Sequence, residues 1–191
     1  MSPNELTKGE KVNSIIYGVI VGFITIFFSV LSVFYTKTAD TYGSFYLVST
    51  IFKILGDIIV PIGFVYFLKK RNGDVWTFSK ALKSIYILLA ISVIVSSLGI
   101  TFSQKVFIPN DVIEMGYQNL MNLKIESMEA DKATSSEIEQ QLEIIEQQRD
   151  FAFTEISFQN VIPPLFISLL LHFVFALLLA FLFRSHIQKK S

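Results

Sequence analysis

The chain has no cysteine and two histidines, His172 and His186, in 191 residues. The first absence excludes disulfides, thiolate metal sites and thiol nucleophiles. The second leaves too few ligands for a histidine-built metal centre. Charge is also scarce: 17% of residues are Asp, Glu, Lys or Arg, against about 25% in an ordinary soluble domain. The formal net charge is +0, so no global field argues for nucleic acid as a partner. A Gly-rich phosphate loop, an H-E-x-x-H, a G-x-S-x-G and a calcium-loop pattern are all missing. The stretches between apolar runs on the basic side are too short to fold a catalytic domain. The expectation is a non-enzymatic chain with no cofactor, no metal and no nucleic-acid partner.

What the chain has in plenty is apolar length: 52% of residues are hydrophobic and 19 are Phe. A helix needs about 20 mostly apolar residues to cross a bilayer. Residues 15–35, 45–68, 85–103 and 161–183 qualify, the third with an amphipathic lead-in from Thr77. In lipid the backbone has to satisfy its own hydrogen bonds, so these segments are expected to be helical. The tail at 1–14 lacks the basic start and small-residue cleavage site of a secretory signal, and the first apolar run reads as a retained span.

Basic residues near span ends mark the cytoplasmic side. Ten lie on one side: Lys8 and Lys11 in the tail at 1–14, Lys69, Lys70, Arg71, Lys80 and Lys83 in the loop at 69–84, and Arg184, Lys189 and Lys190 in the tail at 184–191. From Lys105 to Asn160 there are instead eleven acids against four bases. Both termini are therefore expected in the cytoplasm and the acidic segment outside. Tyr35, Tyr42 and Tyr46 suit the outer boundary, and Tyr66 and Trp76 the inner one.

The acidic segment is too long for a structureless loop. Residues 109–158 read as an extracytoplasmic helical hairpin between the third and fourth spans. Asn110 or Asp111 is placed to cap its first helix, with Val112, Met115, Leu120, Leu123, Ile125 and Met128 as apolar positions. Ser136 and Glu139 have the spacing of a capping box for the second, and Ile138, Leu142 and Ile145 share a face. The acids suit either a solvated helical face or a binding surface for a cationic partner, such as a protein, or for divalent ions.

Membrane helices associate through small residues that let backbones approach. In the first span Gly18, Gly22, Thr25, Ser29 and Ser32 share one face. The third offers Ser84, Ser92, Ser96, Gly99 and Ser103, and the fourth Ser168, His172, Ala176 and Ala180. The Gly18–Gly22 pair suits packing within the bundle or a homo-oligomer.

The second span carries "KILGDIIVPIG". Lys53 and Asp57 each cost about 2.5–3.5 kcal/mol at mid-helix, so an ionisable residue there is a functional candidate. They are also one helical turn apart and can neutralise each other. Pro61 removes the amide that would serve the Asp57 carbonyl, which predicts a kink. One reading is a polar knot inside the bundle of Lys53 and Asp57 with His172 or the serines of the third span. The other is a proton- or ion-handling carboxylate at Asp57 with a hinge at Pro61. A lone bundle histidine such as His172 is more often a hydrogen-bonding partner than a metal ligand.

Two stretches carry a likeness. "FLKKRNGDVWTFSKALKSIYI" and "EQQLEIIEQQRDF" resemble the inner loop and outer helix of a family of small bacterial four-span membrane proteins, catalogued as domain-of-unknown-function family 4199. The resemblance implies an all-α integral protein of a bacterial inner membrane and supplies no activity or site residues. The expected role is an envelope interaction or assembly component acting through the outer hairpin. The alternative is a small oligomeric transporter or channel subunit centred on Asp57.

Overall fold

The protein is described from a computed structural model covering residues 5–73, 76–154 and 158–185. Lys189, Lys190 and His186, assigned above to the C-terminal tail, lie outside these residues. Among the described residues all regular structure is helical. The helices are α1 (Lys8–Thr38), α2 (Tyr42–Ile54), α3 (Val60–Asn72), α4 (Phe78–Val106), α5 (Asn110–Ala130), α6 (Ser135–Phe153) and α7 (Phe158–Phe183). A single π turn, Leu55–Ile59, joins α2 to α3.

Four stretches are long and apolar enough to cross a membrane: α1, the run Tyr42–Asn72, α4, and Val161–Phe183 of α7. Their outward faces are apolar. Phe23 is 63% exposed, Leu171 65% and Leu182 72%, and side chains of this kind are stable only against lipid or a partner. The helices run past the expected limits. Residues 8–14, read as tail, are helical. So are the two ends of the expected loop at 69–84.

The fold divides into two compact units. Unit 1 holds Met1–Thr25, Leu55–Gly99 and Phe158–Ser191, and unit 2 holds Ile26–Ile54 and Ile100–Ser157.

In unit 1 the core gathers Val65, Leu68, Ile85, Leu88, Leu89, Ala176 and Ala180 around Trp76. Trp76 is completely buried. Its expected place in an interfacial aromatic belt is therefore corrected. It is clasped instead through its backbone, with its main-chain N–H donating to Ser185 Oγ at 3.1 Å and its carbonyl accepting from the Ser185 N–H at 2.8 Å. Tyr66, its expected companion, is 57% exposed. The small residues of α1 meet α4. A Cβ on Gly18 would lie 2.6 Å from the Leu88 carbonyl oxygen, and one on Gly22 2.7 Å from Val95 Cβ. Only hydrogen fits at either position. Aromatic edges close the remaining gaps, Tyr17 on Phe64 at 5.6 Å and Tyr86 on Phe173 at 5.2 Å.

In unit 2, α5 and α6 pack on each other and on the ends of the long helices. Ile108, Val112 and Ile113 form the core with Val30, Val33, Tyr117 and Ala152. The Asn119 amide donates to the Thr36 and Ala39 carbonyls at 2.9 and 3.0 Å, near the end of α1, where no further turn supplies donors. Two expected caps are corrected. α5 starts after Pro109 with no side-chain cap, because Pro at that position already fixes the entry backbone. The capping box of α6 is Thr134 with Glu137, two residues before the Ser136 and Glu139 pair. Both pairs have the same spacing, and Thr134 takes the role because Ser136 already lies inside the helix. Met115, assigned above to the apolar face of α5, is 44% exposed.

Candidate functional site

Three places in the chain concentrate polar chemistry. The first is the interrupted second span. Pro61 has no N–H, so the Asp57 carbonyl loses its helical donor, and the chain answers with the π turn rather than a sharp break. Thr25 of α1 reaches in and donates its hydroxyl to the Gly56 carbonyl at 3.2 Å. Asp57 sits within this turn, partly buried, and Lys53 lies exposed in the last turn of α2. Pro61 is buried at the start of α3. His172 turns to its own helix instead. Its Nδ1 is 2.8 Å from the Ser168 carbonyl, a geometry in which the ring N–H donates. π turns recur at functional sites, so this is the reading of Asp57 that keeps a hinge in view.

The second place escaped the sequence reading. Glu10 and Lys80 form an ion pair in unit 1, Nζ to Oε1 2.6 Å, with side chains 9% and 17% exposed. Glu10 belongs to the capping box of α1. The Thr7 N–H donates to its Oε2 at 2.8 Å, and the Glu10 N–H donates to Thr7 Oγ1 at 3.2 Å. Buried Ser14 donates back to the Glu10 carbonyl at 2.9 Å, and Asn13 donates to Asn72 Oδ1 at 3.1 Å. A carboxylate at a helix start is favoured by the helix dipole. An ammonium in the first turn of α4 is not, so Glu10 offsets the cost of Lys80. The T-x-x-E signal was legible in "TKGE". The partner 70 residues on was not, because no local pattern links them.

The third place is a cavity of about 260 Å³ inside unit 2. Its walls are Ser29, Ser32 and Thr36 of α1, Phe45 and Ser49 of α2, Gln104 of α4, Gly116 and Tyr117 of α5, and Gln148 and Ala152 of α6, with apolar closure by Val33, Ile113 and Leu120. Ser32 donates to Ser49 at 3.2 Å and Thr36 to the Ser32 carbonyl at 2.8 Å. The Tyr117 hydroxyl donates to the Gln148 carbonyl at 3.3 Å, and burial pushes its phenol above the ordinary value. Of the small residues picked out in the sequence, Ser29 and Ser32 line this cavity. Ser96 bonds the Val93 carbonyl of its own helix at 3.2 Å, and Gly99, half-buried, closes the α4 part of unit 1. Among the described residues no three His, Cys, Asp or Glu cluster as a metal site would need.

The helices and their apolar faces define an all-helical protein with four segments able to cross a membrane. Residues 16–185 match the family described as "Protein of unknown function (DUF4199)", and the chain belongs to that family. No curated protein and no solved structure matches it.

Proposed function

We propose that this is a multi-pass protein of a bacterial inner membrane with both termini in the cytoplasm. On this reading α5 and α6 form an acidic extracytoplasmic hairpin through which the chain acts as a non-enzymatic envelope interaction or assembly component. The observation that carries the reading is the contrast between the spans and these two helices. α5 and α6 are polar, yet they are held in place by the Asn119 clamp and by Lys105, whose ammonium donates to the Ala152 carbonyl at 2.8 Å. A surface already held in place lowers the ordering cost of docking a partner. The basic residues flanking the spans support the orientation. A homo-oligomer through Gly18–Gly22 would have to displace α4 from that face, so self-association is better sought elsewhere.

The test is a phosphatase reporter inserted after Lys132, expected active, and one fused after Ser185, expected inactive. A photo-crosslinking residue at exposed Glu139 or Glu146 in living cells should then capture a discrete protein. Adducts only to a second copy, or none, would remove the docking reading.

The π turn favours a second reading, in which Asp57 handles protons or ions. Proteoliposomes holding the full chain would show a flux that Asp57→Asn abolishes. Absence of flux in the unaltered protein removes it.

A further inference from the structure

The cavity in unit 2 has the chemistry of a ligand site. Among the described residues its walls offer hydroxyls and amides but no Asp, Glu, Lys or Arg. Ser32 and Thr36 spend their hydroxyl protons on Ser49 and on the α1 backbone. Among the described residues, the Ser29 hydroxyl and the side-chain amides of Gln104 and Gln148 bond to no other protein group. They leave donors and acceptors aimed at whatever occupies the space. A charged ligand would meet no countercharge there, and burying an unpaired charge is costly. Outside that lining, Arg149 is paired with Asp150 at 3.2 Å and Glu114 at 3.9 Å, and the Lys105 ammonium donates to the Ala152 carbonyl.

The cavity does not end at its polar floor. A second, more open hollow of about 510 Å³ shares Gln104, Tyr117, Gln148 and Ala152 with it and adds Gln147, Ile144 and Phe151. Ile144 and Phe151 are 47% and 59% exposed, and Phe153 at the end of the same helix 39%. Both hollows of this groove mix amides and hydroxyls with apolar walls, and Ile144 and Phe151 line the outer one. The outer hollow lies within the roughly 300–1,000 Å³ usual for ligand sites, and the inner cavity is just below it.

We infer that this groove binds an uncharged, hydroxyl-bearing amphiphile of the diacylglycerol kind. Its head hydrogen-bonds Gln104, Gln148 and Ser29, and its hydrocarbon lies along Ile144 and Phe151. The inference rests on the walls of unit 2 and does not depend on which side of a membrane α5 and α6 face.

The experiment uses the full chain in phosphatidylcholine nanodiscs with a diacylglycerol carrying a diazirine at one acyl terminus. After illumination, label is expected on the peptides holding Ile144 and Phe151. It should fall roughly tenfold in Gly116→Leu, which grows a side chain into the floor, and in Gln104→Leu, which keeps volume but removes the amide. Unlabelled diacylglycerol should compete, whereas phosphatidylglycerol and excess free glycerol should not. If Gly116→Leu melts early by circular dichroism, Ser29→Leu fills the same space from α1. Label spread evenly over the spans would overturn the proposal, as would undiminished label in a folded filling variant. Equal competition by phosphatidylglycerol would overturn the uncharged head, and competition by glycerol alone would replace the amphiphile with a free polyol.

Discussion

At the scale of single residues, two contacts decide how the spans of unit 1 meet. Gly18 and Gly22 leave room only for hydrogen against the α4 backbone and Val95. Gly18→Ala is expected to destabilise the protein by roughly 1–3 kcal/mol, the usual cost of overpacking. Detergent-solubilised thermal melts would read it, and Gly63→Ala, with open space around its Cβ, should leave the melt close to the parent's. The Glu10–Lys80 pair is the second contact. Glu10→Gln leaves the Lys80 ammonium without its carboxylate and should cost about 3 kcal/mol, at the low end for a buried pair because Lys80 keeps some solvent. Glu10→Gln with Lys80→Met should cost less than the two single changes summed. Strict additivity in that cycle would mean the pair contributes no coupling.

At the scale of elements, the π turn and the start of α6 are the informative pieces. Thr25→Val removes the hydroxyl serving the Gly56 carbonyl, and a loss of about 1 kcal/mol is expected. A span that straightened by absorbing the extra residue would instead tolerate the change, so the melt of Thr25→Val against Thr25→Ser separates the cases. At α6, bonds from the Thr134 backbone N–H and then its hydroxyl hold the Glu137 carboxyl below the usual carboxylate range. A folded pKa below the unfolded one means the box is fully stabilising above the unfolded pKa. That contribution is lost as pH falls through the folded value. Protection factors over the first turn of α6, referenced to the intrinsic exchange rate at each pH, should therefore fall on acidification in the parent, and Glu137→Gln should remove most of that dependence.

At the scale of the whole molecule, the four apolar runs were readable because lipid as a solvent demands length and composition, and both are written locally. An alkaline carbonate wash should leave the full chain in the membrane fraction; release into the supernatant would contradict the four-span reading. The small face of α1 was equally visible, since Gly18 and Gly22 recur at helical spacing. Its partner was not, because a glycine stripe fits a neighbouring helix and a second copy alike. Asp57 and Pro61 announced an interruption, but not the π turn or the Thr25 hydroxyl that serves the Gly56 carbonyl from 31 positions away. The cavity in unit 2 was the least legible feature. Its lining comes from five helices, and no window of sequence holds more than a few of those side chains.

The burial of Trp76 has one more consequence. With one tryptophan in the chain and that indole wholly enclosed, the protein carries a built-in optical gauge at a single known spot. Its emission should be blue-shifted and resist acrylamide, and any treatment that parts Ser185 from its clasp would announce itself as a red shift without a label ever being attached.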